Sequence, residues 1–271
     1  MDNIFNKPIH EVIKLRHSVR SYENKSLSTE VLKQVEEYIS NIENPFDIKI
    51  RIRLIESDSA NKELKLGTYG VIKGANYYLV AACAKENYNF EALGYVFEKV
   101  VLYCTSLGLG TVWLGGTFNK GNFASAMEIK ENEVLPIVSP LGYEGGRKSL
   151  LATMFGSNTN KRKSYGEIFF NDDFHTKLNK ESSGEYYEVL EMLRLAPSAM
   201  NKQPWKVLKQ NNEFHFYMDG KLEMNRIDMG IALCHFHLTA KEQKLSGEFK
   251  IIDPKIDIKY KYIISWVVKL N

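Results

Sequence analysis

Three cysteines in 271 residues, Cys83, Cys104 and Cys234, give this chain no disulfide framework. They are far apart and odd in number, and they form no C-x-x-C pair for a metal or a dithiol redox site. A reducing compartment, the cytoplasm, is therefore expected. No run of about 18 apolar residues occurs, and the opening "MDNIFNKPIH" has no apolar signal core, so nothing predicts insertion or export. Neither sign of charge dominates. With 36 Lys+Arg against 33 Asp+Glu, the net +3 is too small a field to gather nucleic acid or a membrane surface, and neither partner is expected. There is no H-E-x-x-H, no P-loop and no Ser-His-Asp order, and no G-x-G-x-x-G follows a strand. His235 and His237 in "LCHFHL" stand two apart, which on a helix sends them to different faces, so no metal site is expected. What these absences leave is an ordinary globular chain, 44% hydrophobic and 25% charged, able to bury a large core in one or two domains.

Its elements are legible in the periodicity. A short helical piece around Pro8 to Leu15 precedes Ser28, which can cap a helix whose Val31, Leu32, Val35, Tyr38, Ile39 and Ile42 recur at helical spacing. "DIKIRIRLI" from Asp47 alternates Ile48, Ile50, Ile52 and Leu54 with charged residues, the period of a half-buried strand. "NYYLVAACA" from Asn76 and "EVLPIVSPLGY" read as further strands. Between them "FEALGYVFEKVVLYCTSLG" reads as a long apolar helix stopped at Gly108. The one linker-like stretch is "GSNTNKRKSYG", Gly156 to Gly166.

The sequences on either side of it look related. "VLKQVEEYISNIENPF" from Val31 aligns with "VLEMLRLAPSAMNKQPW" from Val189. "LGYVFEKVVLYCTSLGLG" from Leu93 aligns with "MGIALCHFHLTAKEQKLSG" from Met229, and "PIVSPLG" from Pro136 with "YIISWVV" from Tyr262. Three pairings in one order fit either duplication of a unit or coincidence between generic α/β segments.

Three stretches carry candidate chemistry. In "LRHSVRSY", Arg16, Ser18 and Arg20 alternate, so in extended backbone they point the same way and present two guanidiniums and a hydroxyl to an anion; a solvated surface turn is the other reading. Lys161, Arg162 and Lys163, or Arg147 and Lys148 upstream, could complete a phosphate site or lie on a solvated face. "GLGTVWLGGTF", Gly108 to Phe118, is dense enough in glycine to expose backbone N–H groups, or is a plain turn. In "LAPSAMNKQPWKV", Pro197 and Pro204 forbid a continuing helix. Small side chains there let a flat ligand approach, and Asn201 and Gln203 offer paired donors and acceptors.

Together, R-H-S-V-R at 16–20, A-P-S-A-M-N-K-Q-P-W at 196–205 and "GLGTVWLGG" resemble the FMN-dependent nitroreductase family over most of the chain. The resemblance implies an α+β nitroreductase-like fold, internally duplicated as a single-chain pseudo-dimer, with mixed and antiparallel sheets flanked by helices. Residues 1–155 would form the first half, 156–170 a linker with the basic run, and 171–271 a shorter second half. It further implies that Arg16, His17, Ser18 and Arg20 touch the FMN phosphate, ribityl chain and pyrimidine edge. Trp113, Leu114, Gly115 and Gly116 would approach the flavin N5, and Lys161, Arg162 and Lys163 would grip the phosphate. Pro197, Ser198, Ala199 and Asn201, with Gln203 beside them, would line the ring.

The chain departs from that family in one respect. The Pro-Ser loop is missing from the first half, where "ISNIENPF" stands, and the second half lacks R-x-S-x-R. One flavin site per chain is expected, with the symmetry-related one lost and no partner subunit required. The implied activity is a ping-pong transfer of electrons from NAD(P)H through FMN to a small electron-poor acceptor, a nitroaromatic or a quinone. A non-catalytic FMN-storage protein and a flavin-free phosphate-binding domain are the alternatives.

Overall fold

Local chemistry sets the first elements. Pro8, which has no N–H to lose, leads into α1 (Ile9–Leu15), and Ser28 Oγ accepts the Val31 N–H at 3.3 Å to start α2 (Thr29–Ser40). The computed structural model describes residues 5–57, 66–146, 161–252, 254–256 and 258–269, and divides the chain into two compact units, Met1–Asn160 and Lys161–Asn271.

In the first unit the predicted strands form as β1 (Ile50–Glu56), β2 (Tyr77–Ala84) and β4 (Glu133–Gly142). A two-residue β3 (Gly110–Thr111) joins them in the order β1-β2-β4-β3, with every pair antiparallel. The apolar helix forms as α3 (Asn89–Ser106) and is buried on nearly all sides, as its sequence requires. A short α4 (Lys120–Met127), which hydrophobic periodicity did not mark, precedes β4.

The second unit contains α5 (Tyr165–Ile168), β5 (Phe169–Asn171), α6 (Lys180–Ser183), α7 (Tyr187–Arg194), β6 (Trp205–Gln210) and β7 (Glu213–Met218). These are followed by α8 (Glu223–Glu242), β8 (Gly247–Lys250) and β9 (Lys261–Val268). The sheet order is β5-β6-β7-β9-β8, with β5 parallel to β6 and the rest antiparallel. Without β5 this is the order of the first sheet, and each long helix, α3 or α8, falls between the second and third strands of its unit. The chain is internally duplicated, and the three sequence pairings fall on α2 and α7, α3 and α8, and β4 and β9.

The linker expectation is corrected on its C-terminal side. Residues 161–170 fold into the second unit, where Ser164 and Glu167 start α5 through a Ser164 N–H donated to Glu167 Oε2 at 2.7 Å. Residues 156–160 lie outside the described residues.

The duplication extends to how the long helices stop. After α3, Gly108 at φ +78° donates to Thr105 O at 3.0 Å and Leu109 donates to Cys104 O at 2.9 Å. After α8 the same two bonds come from Lys244 (to Lys241 O, 3.1 Å) and Leu245 (to Ala240 O, 2.9 Å), but Lys244 holds φ +60° with a side chain. A lysine in left-handed backbone costs conformational energy that glycine does not. Lys244→Gly is therefore expected to raise stability by roughly 0.5–1 kcal/mol in chemical denaturation, while Gly108→Lys lowers it by at least as much.

Candidate functional site

In the first unit, α1 ends because Arg16 turns to extended backbone (φ −59°, ψ 121°). The next residues run as a strand-like filament through the unit. Val19 N–H donates to Thr111 O (2.9 Å), Tyr22 N–H to Lys73 O (2.8 Å) and Lys73 N–H to Arg20 O (3.0 Å). On the other edge, Gly145 N–H donates to Ser21 O at 2.8 Å. Val19 and Ser21 are buried while Ser18 and Arg20 are half-buried, so the alternation expected of extended backbone holds over residues 18–21; it does not extend to the exposed His17 or to Tyr22, which is buried on the parity of Arg20. Close approach is made possible by Gly74, whose φ is +80° and whose added Cβ would stand 2.4 Å from Tyr22 O.

Burial pushes the Arg16 guanidinium below its ordinary pKa, and the Glu98 carboxylate partly restores it. Arg16 Nε is buried with no hydrogen-bond partner among the described residues, which fits an anionic group such as a phosphate. Arg20 is likewise lowered by burial, with Tyr22 opposing. His17 is exposed, its Nε2 2.9 Å from Glu144 Oε2 and its Nδ1 3.0 Å from Leu15 O.

The glycine-rich turn lies next to this filament, since Ser18 pairs with Thr111 in a parallel bridge. Trp113 is turned inward and donates Nε1–H to Glu98 Oε2 at 2.9 Å, with its ring edge-on to Phe97. Leu114 exchanges backbone bonds with Val138 (2.9 and 3.1 Å). Gly115 and Gly116 are exposed, and a Cβ on Gly116 would meet nothing within 4 Å. The first unit thus pairs the Arg-Ser-Arg filament with the start of the glycine-rich stretch at Thr111, and Gly115 and Gly116 further along it are exposed. Arg147 and Lys148, the other basic candidates, lie outside the described residues.

In the second unit the structure brings the other two candidate groups together. Asn201 Nδ2 donates to Lys161 O (2.7 Å), Arg162 donates to Asn201 Oδ1 (2.8 Å) and Leu195 O (3.0 Å), and Lys163 N–H donates to Gln203 Oε1 (2.8 Å). Gln203 is buried and its Nε2 is shared among Lys161 O, Asn201 O and Asn201 Oδ1. The amides that the sequence suggested for a flat ligand are used within the protein to tie the basic run to the loop. Pro197, Ser198 and Ala199 remain half-buried. Met200, Asn201 and Gln203 all have φ near +50°, and such strain persists only where the surroundings impose it. Here Ser198 Oγ accepts the Gln203 N–H at 2.8 Å and Asp228 Oδ1 accepts the Ala199 N–H at 2.9 Å.

Sequence reasoning did not find Glu98, Glu144 or Asp228. The available signals were acids inside apolar helical runs, "YVFEKVV" and "NRIDMGIAL", which point to buried carboxylates but not to their partners. No group of histidine, cysteine or acidic residues suited to a metal occurs among the described residues, and His235 is buried with Nδ1 2.9 Å from Met192 O. His215 stands 2.7 Å from Ser265 Oγ and 3.4 Å from Glu213, which resembles a nucleophile with its base. Ser265 and His215 are 0% and 1% exposed, so no substrate can reach them, and the contact ties β7 to β9.

Burial raises the Asp228 carboxyl to about 6, against the bonds from Ala199 and Asn225. Because this exceeds the unfolded value of about 3.9, the folded state binds the proton more tightly, and stability falls as pH rises from 4 through 6 and then levels off. Asp228→Asn should abolish that slope, measured by denaturant titration across pH.

The chain matches the family model described as "Putative TM nitroreductase" over residues 8–240. Among solved structures it is similar to a "putative nitroreductase" from Thermotoga maritima, at 22% identity, with 97% of this chain and 94% of that one covered and a TM-score of 0.64. It is also similar to a nitroreductase family protein from Clostridium difficile (19%, 58% and 94% covered, TM-score 0.46). A nitroreductase with bound FMN from Desulfitobacterium hafniense matches at 18% (52% and 92% covered, TM-score 0.43). No curated protein matches. No helix among the described residues is long and apolar enough to cross a membrane. The family match runs through the first unit and into the long helix of the second, and by it the chain belongs to the nitroreductase family.

Proposed function

We propose that this chain is an FMN-dependent oxidoreductase that takes electrons from NAD(P)H and passes them to a small electron-poor acceptor such as a nitroaromatic or a quinone. The observation that carries the reading is Arg16: a half-buried residue whose Nε is buried without a partner among the described residues, on one filament with Ser18 and Arg20, where Ser18 pairs with Thr111 of the glycine-rich stretch. When bound, FMN supplies hydride and electron transfer, which no side chain here could perform alone.

In this reading Arg16 and Ser18 hold the phosphate and ribityl chain, and Lys161, with its ammonium exposed, adds charge. Arg20 lies at the pyrimidine edge, where a fixed cation favours developing negative charge without solvent reorganisation. The Gly115–Gly116 backbone offers N–H donors toward N5. Pro197, Ser198 and Ala199 present a small, rigid surface to the ring. One FMN per chain is expected on this reading, because R-x-S-x-R stands in one copy of the repeated unit and A-P-S-A-M-N in the other. The three buried free cysteines suit a reducing cytoplasm.

Steady-state NAD(P)H oxidation with p-nitrobenzoate or menadione as acceptor tests the activity. Parallel lines in double-reciprocal plots are expected. A flavin-loaded protein that NADH and NADPH leave oxidised in stopped flow would overturn the oxidoreductase reading.

A further inference from the structure

A cavity of about 770 Å³ opens in the second unit where β7 gives way to α8 and meets the start of β9. Among its lining residues, Lys221, Arg226, Lys259 and Lys261 outnumber Asp219 and Glu223 two to one. Among the described residues no carboxylate lies within ion-pairing distance of Lys221, Lys259 or Lys261. Lys206 is lowered by burial and then by Lys163, with Lys259 adding to this and Asp219 and Glu167 opposing it.

The volume falls in the roughly 300–1,000 Å³ range of small-molecule sites. Met218 and the 57%-exposed Leu222 add an apolar wall on which a flat base can lie. The start of α8 forms another side. Leu222 at its N-cap has no oxygen to offer the first-turn amides, although Glu223 in that first turn offsets part of the helix-end potential. Two carboxylates among four cations exclude a metal site, and a net charge of only +3 argues against an extended nucleic-acid track.

We infer that this cavity binds the phosphates of a nucleotide-sized organic polyanion, with Lys221, Lys259 and Lys261 as its charge partners. This binding does not depend on the flavin. The phosphates could belong to the electron donor, because Asp219 in the wall donates its N–H to Pro204 O at 2.6 Å and so abuts the Pro-Ser loop, or to a free nucleotide. The shared chemistry is the same.

The test is calorimetric titration of the full chain with 2′,5′-ADP and with ATP at low salt, on the wild type, on Lys259→Ala/Lys261→Ala and separately on Lys221→Ala. Binding in the micromolar range, weakened at least tenfold in the double variant and weakened by salt, is expected, with melting temperatures confirming that both variants fold. Competition of 2′,5′-ADP with NADPH in turnover would assign the phosphates to the donor. ATP binding without such competition would assign them to a free nucleotide. No heat from either probe, or equal affinity in wild type and variants, overturns the inference, whatever the outcome of the turnover assay.

Discussion

Arg16→Ala is expected to weaken FMN binding by one to two orders of magnitude. A charge-assisted hydrogen bond contributes about 1.5–3 kcal/mol, and a donor as buried as the Arg16 Nε lies at the favourable end of that range. Arg16 is held for such a bond. Burial already opposes its charge, Glu98 supports it, and its Nε has no partner among the described residues. Arg16→Lys keeps the charge but loses the planar fork, and an intermediate affinity is predicted. Fluorescence titration of the apoprotein with FMN measures both. Equal affinity in wild type and Arg16→Ala would remove Arg16 from the site.

Gly74→Val is expected to cost roughly 3–5 kcal/mol of stability and, with it, FMN retention. Two penalties combine there: a side chain at φ +80°, and a Cβ placed 2.4 Å from the Tyr22 carbonyl oxygen. Something has to move, and the neighbour is the backbone that positions Arg20, held by the bonds between Lys73 and residues 20 and 22. Gly70 provides the control. Its φ is +76° but a Cβ there would meet nothing within 4 Å, so Gly70→Val incurs only the conformational penalty of about 1–3 kcal/mol. The difference between the two variants in chemical denaturation isolates the clash, and only Gly74→Val should release flavin. Equal losses would mean the filament can shift freely.

How far the sequence could be read follows from the range of each interaction. Short-range signals were sufficient for Ser28, for the Ile48–Leu54 alternation and for the stop at Gly108, because cap, pleat and left-handed turn are set within a few residues. The repeat was legible because it reproduces whole elements in order. β3 and β5, of two and three residues, carry too little periodicity to be seen, and they exist only through pairing with β4 and β6. The basic run looked like linker because its bonds go to Asn201 and Gln203, about 40 residues away, although Ser164 and Glu167 at capping-box spacing were a local clue to the helix behind it.

At the candidate site, the alternation of Arg16, Ser18 and Arg20 was readable and their extended backbone agrees with it. The partners Glu98 and Asp228 were not readable, because what they touch is fixed only by tertiary packing. Nor could the sequence show that the Asn201 and Gln203 amides are turned to the protein itself.

The proposed function requires that this chain bind one FMN, with Arg16 among the residues that hold it. Bound FMN released by heat from the purified protein and quantified per chain tests it most directly. The account predicts about one FMN per chain, falling toward zero in Arg16→Ala. Two per chain would mean that the copy lacking R-x-S-x-R also binds flavin, and none after reconstitution with excess FMN would contradict the flavin reading altogether.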